Sequence, residues 1–181
     1  MGQDIVLVNR REFMTDPLKI LVPVDFSSHS LATLDFALSL TNFVAASYVL
    51  LYVVVSGEVE TFASLGGEPE ETLARHKEEA AVRLAEEIER RRLKKPEIPI
   101  ESRVVSGVPF KEICRIADEE SFHLIVIGTH GRTGLSHLLI GNTAERVVQH
   151  ASCPVLSIKP EFCESRVGAA AVFTKKSGKN S

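Results

Sequence analysis

Residues 123–134 read His123-Leu124-Ile125-Val126-Ile127-Gly128-Thr129-His130-Gly131-Arg132-Thr133-Gly134. The run from His123 to Ile127 passes without interruption into a glycine. So short an apolar run, closed by glycine, predicts a strand buried on both faces, as in a parallel sheet. Glycines at 128, 131 and 134 let backbone approach a ligand and take positive φ where a turn needs it. Successive free N–H groups in such a turn make a concavity that attracts anions. Gly141-Asn142-Thr143 then opens a short helix over 142–150, whose first N–H groups and positive dipole end would face the same place.

Upstream, Lys19 to Val24 (KILVPV) predicts a second strand buried on both faces, leading into Pro23-Val24-Asp25-Phe26-Ser27. Ser27 and Ser28 offer caps for a helix through about Ala45, with Leu31, Leu34, Leu38 and Thr41 inward. Tyr48 to Val55 is a third apolar, β-branched run, and the glycine-bearing 56–69 stretch reads as a surface loop. Glu70 to Lys95 predicts a long helix on Leu73, Ala80, Leu84 and Ile88, its charged remainder read as a solvated face. Ile100 to Val105 is a less apolar strand, expected near an edge. Pro109 starts a helix through about Glu119 with Ile113, Ile116 and Ala117 inward. Val155 to Ile158 follows Pro154 as the last strand. Strands alternating with helices imply an α/β chain with right-handed crossovers and a doubly wound parallel sheet.

At 181 residues the chain suits one domain. Its 21 basic against 24 acidic residues leave a net charge of −3, which speaks against nucleic acid as the main partner. Cys114, Cys153 and Cys163 stand at no metal-ligand spacing and read as reduced thiols in the cytoplasm. No apolar run reaches the roughly 18–20 residues of a membrane helix. The start, with Asp4 before Ile5 to Val8 and Arg10-Arg11 behind, has the reverse order of a signal peptide. The expectation is therefore a cytoplasmic protein with no membrane partner. The small, polar stretch after Glu161 is expected to be a disordered tail.

Ligands of open parallel sheets bind beyond the carboxyl ends of strands, where the strand order reverses. The Asp25 segment and the Gly128 turn both leave a strand's carboxyl end, and they face one crevice if their strands are adjacent. Two anion sites on one crevice suit a polyphosphate. The turn is not a P-loop, since no Gly-Lys-Ser/Thr follows, and its glycine spacing is not the dinucleotide fingerprint.

The pattern Gly128-x2-Gly131-x9-Gly141, joined to VPVDFS and to the closing CPVLSIK, resembles the ATP-binding class of universal stress proteins. The resemblance covers about 19–160, leaving 1–18 as an N-terminal extension and 161–181 as the tail. It implies a single-domain, five-stranded parallel sheet ordered 3-2-1-4-5 with helices on both faces, an adenine nucleotide hydrolase-like, Rossmann-like fold. It also implies that Asp25, beside Pro23 and Val24, and the Val53 backbone hold the adenosine end. Gly128, Thr129, His130, Gly131 and Arg132, with Gly141, Asn142 and Thr143, would hold the phosphates. ATP is the implied ligand, with ADP or AMP as alternatives and Mg2+ or Mn2+ carried on the phosphates. A homodimer paired through Val155 to Ile158 is the implied assembly.

The family pattern usually has serine or threonine directly after its last glycine, and this chain has Asn142 there. Asn142 can donate to phosphate through its amide, or simply cap the helix with Glu145 three residues on. Asp25 can equally be a turn residue, His130 a mere backbone contributor, and Arg132 solvated. No paired carboxylates, activated nucleophile or metal cluster can be read beside the crevice, so a binding module is expected rather than an enzyme. Two alternatives stay open: a slow ATP hydrolase or nucleotidyl-transfer enzyme on the same fold, and a stress protein acting by protein contacts alone.

Overall fold

The computed structural model describes residues 16–55, 68–129 and 142–159. Five strands form one parallel sheet: β1 (Leu18–Pro23), β2 (Ala46–Val55), β3 (Ile100–Gly107), β4 (Leu124–Gly128) and β5 (Val155–Ile158). Their order is β3-β2-β1-β4-β5, which puts β1 at the centre and β3 and β5 at the edges. Among the described residues four helices accompany them: α1 (Ser28–Ser39), α2 (Pro69–Arg92), α3 (Pro109–Glu119) and α4 (Asn142–His150).

The alternation of side chains along each strand divides the core in two. Ile20 and Val22 of β1 point to one face, where they meet Leu34, Ala37 and Leu38 of α1 and Leu84 and Ile88 of α2. Leu21, Val49 and Ile125 point to the other face, against Ile113, Ile116 and Ala117 of α3 and Val147 of α4. That two-sided burial is why these strands read as unbroken apolar runs. Each fully buried side chain contributes on the order of 1.5–3 kcal/mol, which outweighs the weak helical or strand preference of any one residue.

Local chemistry moves several boundaries. The first helix ends at Ser39 and tightens into a 3-10 turn over Leu40–Asn42, short of the expected Ala45. There the Ser39 hydroxyl donates to the Phe36 carbonyl and the Thr41 hydroxyl to the Leu38 carbonyl, both at 2.6 Å. Such back-bonding competes with the α-helical ladder. The fourth strand starts at Leu124 because the His123 side chain substitutes for the ladder. His123 Nδ1 accepts the Lys19 N–H at 2.9 Å, while the His123 N–H donates to the Lys19 carbonyl at 2.9 Å. Helix α2 ends at Arg92, and Lys94 and Lys95 turn back onto the Arg91 carbonyl. Its charged side is not wholly solvated. Glu87 is buried, and Arg91 links it to Asp35 of α1, with the Arg91–Asp35 contact at 2.8 Å. The expected 56–69 loop falls almost wholly outside the described residues, the N-terminal extension does so largely, and the 161–181 tail entirely.

Candidate functional site

The sheet's order reverses at β1, which pairs with β2 on one side and β4 on the other. The β1–β2 ladder runs to Pro23 opposite Leu51 and gains one more bond, Val24 N–H to the Leu51 carbonyl at 2.9 Å. On the other side Ile20 stands opposite Leu124 and Leu21 opposite Ile125. Beyond these pairs β1 runs on to Pro23 and β4 to Gly128 in the same direction. Thr129 stays in line with β5 through its N–H to the Ile158 carbonyl at 2.9 Å, and its side chain is buried. Pro23, Val24, Asp25, Val53, Gly128 and Thr129 therefore collect at the carboxyl ends of three adjacent strands. His130, Gly131, Arg132 and Gly141 lie outside the described residues.

Asp25 does a turn residue's work in this place. Its Oδ1 accepts the Ser27 N–H at 3.0 Å and the Ser27 hydroxyl at 2.6 Å. Ser27, extended at φ −68°, ψ 155°, caps α1 by accepting the Ser30 N–H at 3.2 Å. The Asp25 N–H in turn donates to the Ser30 hydroxyl at 3.3 Å. The carboxylate is thus oriented by the cap of the helix it precedes, and Asp25 is half-buried.

Between Asp25 and Ser27 the chain passes through Phe26 at φ 61°, the left-handed region that a bulky residue seldom enters. Its ring lies 4.8 Å from that of Tyr52, tilted by 30°, and the Arg83 guanidinium sits 4.0 Å from its centre. Sequence reasoning did not single out these three residues. Phe26 was hidden inside the VDFS segment, Tyr52 inside an apolar run and Arg83 inside a charged stretch.

The last helix is described from Asn142 onward. Asn142 and Thr143 are exposed in the first turn, while Ala144 and Val147 enter the second core. The helix returns the chain to the amino end of β5, parallel to its neighbours, so its first turn stands at the carboxyl side of the sheet.

The family model described as "Universal stress protein family" matches residues 18–159. The chain belongs to the universal stress protein family. It is 34% identical over 146 residues to universal stress protein MJ0531 of Methanocaldococcus jannaschii, covering 78% of this chain and 81% of that one. Its fold is similar to the solved structure of protein MJ0577, at a TM-score of 0.68 and 28% identity, over 78% of this chain and 95% of the other. An Arabidopsis thaliana universal stress protein family structure with AMP bound shares the fold, at a TM-score of 0.53 and 22% identity, over 79% of this chain and 92% of that chain.

Three further features of this universal stress protein bear on what it can do. Among the described residues no group of three His, Cys, Asp or Glu side chains could hold a metal ion. Cys114 and Cys153 carry free thiols, and burial in the second core, with each thiol's neighbours Cys153 and Asp118 adding to it, pushes both up from the ordinary thiol range. A raised pKa leaves little thiolate, which makes them poor nucleophiles. Among the described residues no helix is long and apolar enough to cross a membrane.

Proposed function

We infer that this universal stress protein binds ATP in the crevice between β1 and β4 and works as a nucleotide-dependent stress-response module in the cytoplasm. The observation that carries the reading is the meeting of Asp25, Val53 and Gly128 at the carboxyl ends of β1, β2 and β4, where the strand order reverses. On this reading Asp25 and the Val53 backbone take the adenosine end, next to Pro23 and Val24. Gly128, Thr129, His130, Gly131 and Arg132 take the phosphates together with Gly141, Asn142 and Thr143 at the α4 N-terminus. Asn142 suits the phosphate role because it lies exposed in the first turn of α4. The AMP-bound relative supports an adenine ligand for this fold. Two anion-binding elements favour ATP over AMP, and a divalent ion would ride on phosphate oxygens and water, as magnesium prefers.

The free thiols of Cys114 and Cys153 fit a reducing compartment. The edge strand β5 is the natural face for a homodimer across a two-fold axis.

The test is calorimetric titration with ATP of the wild type and of Gly131→Val and Gly141→Val. Both substitutions put a side chain where phosphate must approach, and both are expected to abolish detectable binding. Unchanged affinity in both folded variants overturns the assignment. Steady-state turnover, expected to be negligible, separates a binding module from a hydrolase.

A further inference from the structure

We propose that Arg83, acting through the ring of Phe26, is a positioning residue of the nucleotide crevice. The inference rests on the nucleotide reading given above. Three observations lead to it. Phe26 holds a left-handed φ of 61° with no glycine to ease it, directly after Asp25 at the carboxyl end of β1. Such a conformation persists only where its surroundings enforce it, and here the ring is held by Tyr52 at 4.8 Å and by the Arg83 guanidinium at 4.0 Å. Arg83 is exposed on α2, far along the chain from the turn it contacts, and no ion pair occupies it among the salt bridges of the described residues. Its one described role is to lie on that ring.

The mechanical chain is short. Tyr52 immediately precedes Val53 on β2, and Val24 is tied to Leu51 of the same strand. The stack therefore fixes the distance between the two elements assigned to the adenosine end. If the Phe26 ring loosens, the backbone leaves the left-handed region, and the Asp25 Oδ1 bonds to Ser27 turn with it. The phosphate end, on β4 and α4, is untouched by that movement.

The experiment titrates the full chain with ATP, adenosine and inorganic tripolyphosphate, with a thermal melt for each variant. Arg83→Gln is expected to weaken adenosine and ATP by a common factor of about two to five, the scale of an exposed cation–π contact. Tripolyphosphate binding should not change, and Arg83→Lys, which keeps the cation, should recover most of the loss. In a Phe26→Leu background, where no ring is left to act on, adding Arg83→Gln should have no further effect. Equal adenosine affinity in wild type and Arg83→Gln overturns the inference and leaves the nucleotide reading standing. An undiminished Arg83→Gln effect in the Phe26→Leu background also overturns it, since Arg83 would then touch the ligand itself. A wild type that binds neither adenosine nor ATP overturns the nucleotide reading and this inference with it.

Discussion

The carboxylate of Asp25 orients the Ser27 cap and, on the proposed reading, receives the adenosine end. Replacing it by alanine should weaken ATP and adenosine equally, by about ten- to a hundredfold, the worth of hydrogen bonds to a charged group. Loss of ATP binding with adenosine untouched, in parallel titrations, would move Asp25 to the phosphate or metal side. Tyr48 offers a second residue-level test. Its hydroxyl donates to the Ala37 carbonyl at 2.9 Å in a fully buried position, and burial pushes the phenol up to about 12. The unfolded phenol ionises near 10, so between about 10 and 12 the unfolded state loses a proton that the folded state keeps. Tyr48 then costs stability as pH rises through that window, by on the order of 2–3 kcal/mol, and leaves it unchanged below. Urea melts from pH 9 to 12 on wild type and Tyr48→Phe would show the difference, with the variant lacking that part of the decline. Asp25 stood out in the sequence as a Pro-x-Asp at a strand's carboxyl end beside a glycine turn, and the turn role that the sequence left open beside the ligand role is visible in its bonds to Ser27. The left-handed turn at Phe26 was not legible, since nothing in a Phe side chain announces a positive φ; contacts from β2 and α2 impose it.

Helices and strands were legible in their type and mostly in their ends. Helix α3 and strand β5 match their expected limits, because Pro109 and Pro154 mark their starts in the chain itself. The end of α1 was missed where serine and threonine hydroxyls took helix carbonyls, a choice made by side-chain rotamers rather than by hydrophobic period. The charge pattern of α2 misled at one position, Glu87. Periodicity sees a carboxylate and assigns it to water, whereas here Arg91 reaches over it to Asp35 and bolts α2 to α1. Without Arg91, Glu87 keeps only the exposed Arg90 at 2.9 Å, and the tie to Asp35 is lost. Arg91→Met should destabilise the fold by about 1.5–3 kcal/mol in urea denaturation, the worth of the lost hydrogen bonds to charged groups. Arg115 makes a similar pattern with Glu112 and Glu119 on an open surface, and Arg115→Met should leave the urea midpoint where it was.

For the whole molecule the order β3-β2-β1-β4-β5 leaves β5 as an edge of four residues, with Pro154 before it and Lys159 after it. Val155 and Leu156 are only half-buried in the single chain. Pairing with the same strand of a second copy would satisfy both edges at once. Light scattering should give a dimer for the full chain and a monomer for Leu156→Pro, which cannot donate to the ladder there. A variant that dimerises as well as the wild type would place the interface elsewhere. The overall order itself followed from the family resemblance rather than from the hydrophobic runs, since five buried strands do not name their neighbours.

The central place of β1 has a consequence for synthesis on the ribosome. β1 emerges first, and β2 can join it early, but its second neighbour is reached only when Leu124 and Ile125 arrive to meet Ile20 and Leu21. At roughly 5–20 residues per second, the hundred or so residues between them leave one side of the central strand open for about 5–20 s. Nascent chains halted before β4 should therefore be captured by chaperones through residues 18–23, and chains long enough to include β5 should be released.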